Sequence, residues 1–247
     1  MTAGWMVEAI QGQTALPALA PPLSSYSFPA RETLNYTVDW RVFPAGTASI
    51  HLEQQGSTMR ITGSGETIQS LNLLFRVSDK YQSTFDLKTG CSYGFSKQII
   101  EGRRQVNTDL KFDYGQHKST QTEKNLVSGI SKHEEAAIPG CVTDLLSAIF
   151  YAASQPIQMG QSFQMPLADA LHTLSVAIKP LSHEEVKTPS GTYQTIRVQP
   201  VATSGVVKNK GEIWIWYTDD ARHIPVQMRA RLFWGTLTMR LSSIDQK

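Results

Sequence analysis

The chain has 247 residues, of which 40% are hydrophobic and 18% are charged, and its formal net charge is +2. This composition can bury a substantial core and excludes a disordered chain. Lysines and arginines are interleaved with acids along the sequence, which argues against nucleic acid as a partner. No apolar run reaches about 18 residues, so no transmembrane segment is predicted.

The N-terminal segment, residues 1–30, is rich in Ala and Pro and shows neither helical nor strand periodicity. It contains no Lys or Arg, and Glu8, Gln11 and Gln13 interrupt the apolar run that a secretory signal requires. We therefore expect a flexible, unpacked segment without an intact signal peptide. A single β-rich domain, residues 31–247, is expected to follow it.

Strand and turn patterns fill the first half of the chain. Apolar and polar side chains alternate over residues 34–42, which predicts a half-buried strand. Turn residues at 44–46 and 56–57 then separate further alternating segments, which is typical of an antiparallel meander. The short segment 70–75 is expected to be a helical turn or an apolar loop that caps an open end.

One helix is predicted, over residues 143–153, between two β-rich halves. Thr143 or Asp144 can accept hydrogen bonds from the free N–H groups of its first turn. We expect the helix to pack against a curved sheet that both halves build. The apolar residues that recur at helical spacing along its covered face are Leu145, Leu146, Ile149 and Phe150.

Strand patterns resume after the helix and end in a hairpin. Residues 212–217 are apolar on both faces, which favours a central strand. Residues 226–232 and 237–241 are expected to pair, with Trp234 and Gly235 in the turn. The side chains predicted for the core side of this hairpin are Met228, Leu232, Leu237 and Met239.

These patterns predict a mostly β fold. Antiparallel meanders are expected to form an open, curved, barrel-like sheet or a two-layer sheet, with one central covering helix.

Four stretches carry a resemblance to a known family: ETLNYTVDWRVFPAGTASI, IPGCVTDLLSAIFYAASQPIQMGQSF, VKTPSGTYQTIRVQP and IWIWYTDDARHIPVQMRARLFWGTLTMRL. They closely resemble the bacterial family called domain of unknown function 3108, and the resemblance covers about residues 32–244. It implies a β-rich fold and an exported or periplasmic, envelope-associated protein. The family supplies no catalytic residues.

The two cysteines, Cys91 and Cys141, lack the paired spacing of a zinc site, so no metal is expected. They are either two buried thiols or a disulfide, and export favours the disulfide. No cofactor is expected either, because the sequence contains no P-loop, no GxGxxG after a strand and no GxSxG.

Arg229, Arg231 and Arg240 are predicted to share one face of the closing hairpin, without an alternating acid on that face. Guanidinium groups so arranged can bind a carboxylate or an anionic head group. With Trp214 and Trp216 they would form a site for an amphipathic or anionic small ligand. The alternative is a solvated outer face balanced by acids from elsewhere.

Asp219 and Asp220, followed by Arg222 and His223, form the densest cluster of ionisable side chains. Neighbouring carboxylates on a strand point to opposite faces, which does not suit a general acid and base. The interpretation as a strand-ending turn is therefore favoured over catalysis, with Arg222 paired to one of the two aspartates.

The leading functional hypothesis is a non-catalytic envelope protein that binds a lipid-like or glycan ligand. The first alternative is a hydrolase that uses Asp219 or Asp220. The second is a scaffold that binds another envelope protein through an exposed sheet edge. The sequence predicts no oligomeric state.

Overall fold

The structure, a computed structural model, describes residues 16–72, 75–202, 211–233 and 235–246. Its helices are α1 (Gln69–Asn72) and α2 (Ser147–Ala153). Its strands are β1 (Arg31–Trp40), β2 (Phe43–Gln55), β3 (Thr58–Thr67), β4 (Ser78–Asp86), β5 (Ser92–Glu101), β6 (Arg104–Asp113), β7 (Lys118–Asn125), β8 (Ser131–Ala137), β9 (Phe163–Asp169), β10 (His172–Thr188), β11 (Gly191–Ala202), β12 (Glu212–Thr218), β13 (Pro225–Leu232) and β14 (Gly235–Gln246).

The described strands form one antiparallel sheet in the order β8-β7-β6-β5-β4-β3-β2-β1-β14-β13-β12-β11-β10-β9. The two halves of the chain meet where β1 pairs with β14. The end strands β8 and β9 do not pair with each other, so the sheet is not closed. The predicted fold class, an open antiparallel sheet with a central helix, is confirmed.

One face of the sheet, which we call the core face, carries the alternating apolar side chains. Leu34 and Tyr36 of β1 lie beside Ile50 of β2 and Ile61 of β3, and all four are almost fully buried. Phe150 of α2 packs into the same cluster. The helix therefore covers the face that the period-two pattern marks as apolar.

Helix α2 fills one end of the curved sheet, which we call the closed end. The Tyr217 hydroxyl donates to the Ile149 carbonyl (2.8 Å), and His223 Nδ1 lies 2.7 Å from the Ala153 carbonyl oxygen. These contacts fix the helix to strands of the second half through its own carbonyl groups. The other end of the sheet, which we call the open end, carries turns of both halves. Among them are those that connect β1 to β2, β3 to β4, β5 to β6, β7 to β8, and β13 to β14.

Residues 16–30 contain neither helix nor strand, yet they pack against the closed end. The Phe28 ring meets the Phe85 ring edge to face at 5.5 Å, and the Tyr151 hydroxyl donates to the Ala20 carbonyl (2.8 Å). The expectation of an unpacked segment therefore does not hold for these residues, because their aromatic side chains complete the core. Residues 1–15 lie outside the described part of the chain.

The helix begins at Ser147, later than the predicted residue 143. Asp144 Oδ1 accepts the N–H groups of Leu146 (2.8 Å) and Ser147 (3.0 Å), and Ser147 Oγ accepts the N–H of Asp144 (3.0 Å). This reciprocal pair is the arrangement of a capping box. Thr143 cannot begin the helix, because it forms a parallel bridge with Leu167 of β9.

The covered face of the helix also differs from its prediction in one side chain. Leu146 and Phe150 are buried and Ile149 is half-buried, whereas the side chain of Leu145 is exposed. Leu145 directly follows the capping Asp144, and its side chain faces solvent.

The second carboxylate oxygen of Asp144 joins this turn to the sheet. Asp144 Oδ2 accepts the hydroxyls of Ser83 on β4 and Ser92 on β5, each at 2.5 Å. All three side chains are buried. One carboxylate thus accepts four hydrogen bonds, and it ties the start of α2 to two neighbouring strands.

A disulfide links the same two regions. Cys91, in the turn between β4 and β5, is bonded to Cys141, which precedes the helix, and their Cα atoms are 5.2 Å apart. Beside it, the N–H of Ser92 donates to the carbonyl of Val142 (2.9 Å). The segment before α2 is therefore held to the first half by a covalent bond and by backbone hydrogen bonding.

Replacement of Asp144 by Ala is expected to lower the free energy of unfolding by about 3 kcal/mol or more, because the helix loses its cap and two buried hydroxyls lose their acceptor. Urea denaturation followed by circular dichroism measures this. Asp109, which is exposed on β6, supplies the matched control, and Asp109→Ala is expected to change stability by less than about 0.5 kcal/mol. Equal effects of the two substitutions would contradict the role of Asp144.

Replacement of both Cys91 and Cys141 by Ser is expected to lower the free energy of unfolding by about 4 kcal/mol, because the bond closes a loop of 50 residues in the unfolded chain. Denatured, unreduced protein should show no thiol on titration. Reductant should bring the wild-type denaturation midpoint to that of the double variant. A double variant as stable as the oxidised wild type would contradict this contribution.

Candidate functional site

The ligand site that the sequence predicts would lie on the closing strands. Cross-strand pairing places Arg229, Arg231 and Arg240 on the face of β13 and β14 opposite the core face. Trp214 lies directly across from Arg229, and Trp216 follows two residues later, so both indoles share that face. We call these five residues the arginine face. The structure thus brings together all five predicted side chains.

The turn of this hairpin differs by one residue from its prediction. Leu232 pairs with Gly235, so Gly235 begins β14 and is not part of the turn. Trp234 lies outside the described residues, and Phe233 is fully exposed. The shift does not alter which residues share a face, because in both strands the same alternate side chains point to each face as predicted.

Two of the three arginines form ion pairs with acids. Arg231 pairs with Glu212, which lies directly opposite it on β12. Arg240 pairs with Asp39 of β1, whose side chain is only 19% exposed. These acids balance the charge of the face, as the alternative interpretation expects, so an anionic ligand would have to compete with them.

The tryptophans lie under the arginines. The guanidinium carbon of Arg229 is 5.4 Å from the centre of the Trp216 ring, and that of Arg231 is 5.7 Å from the Trp214 ring. Such cation–π contacts are stabilising when the ring is shielded from water, and Trp216 is buried. The arginines therefore cover the indoles instead of leaving them free for a ligand.

Glu184 of β10 adds a further acid. It accepts the indole N–H of Trp216 (2.8 Å) and pairs with Arg197 (3.0 Å). Burial opposes its negative charge, but the hydrogen bonds from Trp216 and Ser182 and the charges of Arg197 and Arg229 outweigh burial and lower the pKa of Glu184. The sequence does not predict the contact of Glu184 with Trp216, because the two residues lie on β10 and β12 and are brought together only by the pairing of both strands with β11.

The two aspartates at 219–220 do not act as a pair. Asp220 Oδ1 accepts the Thr218 hydroxyl (2.8 Å) and the N–H of Arg222 (2.9 Å), which is the pattern of a turn cap. The predicted ion pair between Arg222 and an aspartate is wrong. The Arg222 guanidinium instead pairs with Glu32, which is buried at the start of β1 and needs a counter-charge.

Asp219 has a partner that the sequence did not indicate. Its Oδ2 lies 2.8 Å from Nδ1 of His183 on β10, and both side chains are largely exposed. The neighbouring hydroxyl, that of Ser182, donates to Glu184 and not to His183. This arrangement is an exposed contact between two surface side chains, and such contacts contribute little to stability.

Two adjoining clefts, of about 410 Å³ and 800 Å³, cross the opposite face of strands β3–β8. Both are lined by Gln82, Ser96 and Asp109. In the smaller cleft, Asn107 Oδ1 is buried and has no hydrogen-bond partner among the described residues. In the part of the chain that the structure describes, no three His, Cys, Asp or Glu side chains could hold a metal, and no helix is long and apolar enough to cross a membrane.

The core face is incompletely covered towards the open end. Tyr36 and Ile50 are buried at the level of the helix, whereas Val38 and Ala48, one step along the same strands, are only half-buried. A Cβ added at Gly65 of β3 would meet no atom within 4 Å. We call this space the mouth, and its lining residues are Val38, Ala48, Gly65, Met228, Ala230, Leu237 and Met239.

The sequence matches the model of one known protein family. The model of the family of proteins of unknown function DUF3108 matches residues 35–242. The chain belongs to this family. No curated protein matches this DUF3108 chain.

Three solved structures are similar to this DUF3108 protein. The first is a β-barrel-like protein with a domain of unknown function, DUF1849, from Brucella abortus, with a TM-score of 0.59 at 10% identity over 89% of this chain and 98% of that one. The second, from Bacteroides fragilis and named as a candidate exported protein with a YmcC-like fold, has a TM-score of 0.40 at 9% identity over 90% and 99%. The third, a candidate lipoprotein from Parabacteroides distasonis, has a TM-score of 0.33 at 9% identity over 89% and 98%. The first similarity shows a shared β-barrel-like fold.

Two arginines of the arginine face are predicted to contribute differently to stability. Arg231→Gln is expected to change the free energy of unfolding by less than about 0.5 kcal/mol, because the Arg231–Glu212 pair is exposed. Arg240→Gln should cost about 1–2 kcal/mol, because it leaves the mostly buried Asp39 without its donor. Urea denaturation compares the two variants.

The control for this prediction is a double variant. Adding Asp39→Asn to Arg240→Gln should recover part of the loss, because a neutral amide is less costly to bury than an unpaired carboxylate. Equal stabilities of the two single variants would contradict the assignment of Arg240 as a buried counter-charge.

Proposed function

We propose that this DUF3108 protein is a non-catalytic, exported protein of the bacterial envelope, and that it binds a lipid-like amphipathic molecule with the apolar part in the mouth. The observation that supports the proposal best is the burial gradient along the core face. Side chains that are as apolar as the core are only half-buried at the open end, and a Cβ added at Gly65 would meet no atom within 4 Å. Largely apolar concavities of this kind are where small-molecule ligands bind.

Export is supported by the Cys91–Cys141 bond. Disulfides form and persist in oxidising compartments, and in bacteria the periplasm is one. The proposal therefore places the protein in the periplasm or further out.

The arginine face takes a secondary part in this proposal. Arg231 lies near the open-end terminus of β13 with its side chain 65% exposed, so it is the arginine best placed to meet an anionic head group at the open end, on the face opposite the mouth. Arg240 lies deeper along β14 and keeps Asp39 neutralised. We assign no catalytic role to Asp219 or Asp220, because Asp220 caps a turn and Asp219 is engaged by His183.

A glycan is the second candidate ligand, and it has a different place. The clefts on β3–β8 are lined mainly by polar side chains, and the unpartnered Asn107 Oδ1 is an acceptor that a sugar hydroxyl can satisfy. The exposed ring of Tyr93 borders the larger cleft and offers an apolar face.

Native mass spectrometry of the protein purified from its own host tests the lipid proposal. Wild-type protein is expected to carry a small amphipathic ligand, and Gly65→Phe is expected to lose it, because the new ring fills the mouth. The backbone at Gly65 does not require positive φ, so the variant should fold. Ser64→Phe, one residue away on the opposite face, is the matched control and should retain the ligand.

Three outcomes would contradict the lipid proposal. If wild-type protein carries no ligand, the mouth is not occupied in the cell. If Gly65→Phe retains the amphipathic ligand, the ligand lies elsewhere. If the retained ligand is a carbohydrate, the result favours the clefts of β3–β8 over the mouth.

A further inference from the structure

The open end carries most of the strongly exposed apolar side chains among the described residues. Seven large apolar side chains in the described part of the chain are more than half exposed, and six of them lie in the turns of the open end. Phe233 is 99% exposed and Val42 is 81% exposed, each at the tip of a hairpin. Several exposed apolar side chains gathered at one end of a molecule mark an interaction site, whereas isolated ones are ordinary.

Backbone hydrogen bonds join three of these turns to one another beside the mouth. The N–H of Arg41 donates to the Thr236 carbonyl (2.7 Å), which joins the turn before β14 to the turn after β1. The N–H of Ile68 donates to the Ala45 carbonyl (3.0 Å), which joins the next turn along the sheet. We define the apolar rim as Trp40, Val42, Phe43, Phe75 and Phe233.

The charges among these turns have one sign. The sequence of residues 41–42, 68–77, 102–103 and 233–234 contains three arginines, Arg41, Arg76 and Arg103, and no acid. On the adjoining strand ends, Asp39 and Glu101 are paired with Arg240 and Arg104, and the exposed Glu66 offsets one of the three positive charges. The rim therefore combines exposed aromatic and aliphatic side chains with positive charge.

This combination fits the surface of an anionic bilayer better than the surface of a protein. Aromatic side chains favour the membrane interface, and each basic residue near an anionic surface adds to binding. The rim side chains project singly from separate turns around an opening, whereas the centre of a protein interface is a closely packed patch. A fluid bilayer accommodates such projections without shape complementarity.

We propose that the apolar rim docks the open end of the protein onto a membrane surface that contains anionic phospholipids. Phe43, Phe75, Val42 and Phe233 enter the interface, and Arg76 and Arg103 contact lipid phosphates. The docked mouth faces the bilayer. This docking does not require a ligand in the mouth, so it can hold or fail independently of the lipid-binding proposal.

Sedimentation with vesicles tests the docking. Wild-type protein should bind vesicles of phosphatidylcholine mixed with phosphatidylglycerol, and bind vesicles of phosphatidylcholine alone more weakly. The double variant Phe43→Ser, Phe233→Ser should lose about tenfold or more of its partition to both kinds of vesicle, because it loses the apolar area that enters the interface. Arg76→Gln and Arg103→Gln should each weaken binding to the anionic vesicles about fivefold and leave binding to the neutral ones unchanged.

The matched control is Leu145→Ser, which removes the one side chain of the seven that lies away from the open end. It should bind both kinds of vesicle like the wild type. Circular dichroism and thermal unfolding should show that every variant is folded, because all the substituted side chains are exposed.

Any of three results would overturn the proposal: wild-type protein that binds neither kind of vesicle, a double phenylalanine variant that binds as well as wild type, or a loss at Leu145 as large as that at the rim. Sedimentation equilibrium without vesicles tests the remaining alternative, in which the rim binds a second copy of the chain. If the rim variants abolish self-association in protein that does not bind vesicles, the rim is instead a contact between copies of the chain.

Discussion

The buried carboxylate of Asp144 is the interaction on which the relation between helix and sheet depends. It caps α2 and at the same time accepts the hydroxyls of Ser83 and Ser92 on two strands of the first half. The adjoining Thr143 pairs with β9 at the far edge of the second half. Because a buried polar group is costly when any partner is missing, the helix cannot slide along the sheet without losing all of these bonds together.

The fixed position of the helix determines where the interior is filled. α2 and residues 16–30 occupy the closed end, and Tyr217 and His223 hold the carbonyl groups of the helix there. Seven helical residues cannot also cover the other end of strands that are mostly eight to thirteen residues long. The half-exposed apolar lining at the open end is therefore a direct consequence of a short, rigidly anchored helix.

Much of this structure follows from side-chain alternation, and the exceptions share a cause. Parity alone predicts the faces of the closing hairpin, and it also places Glu212 opposite Arg231, a pairing that could have been found from the sequence. The start of the helix could not have been predicted from the sequence, because Thr143 is excluded from the helix only by its pairing with β9. The partner of Arg222 is Glu32, 190 residues away in the chain, since local N–H groups already occupy Asp220. Each failure reflects a contact between distant segments.

The edges of the sheet explain why interaction through an open edge is disfavoured. An unpaired strand edge invites pairing with another chain, and natural sheets protect such edges with charge or by covering them. The β9 edge is covered where Thr143 exchanges backbone hydrogen bonds with Pro166 and Ala168. The β8 edge carries the charged run Lys132, His133, Glu134 and Glu135, all of them exposed. A scaffold that binds by strand addition would need to remove these protections, whereas the open end presents its apolar side chains without any rearrangement.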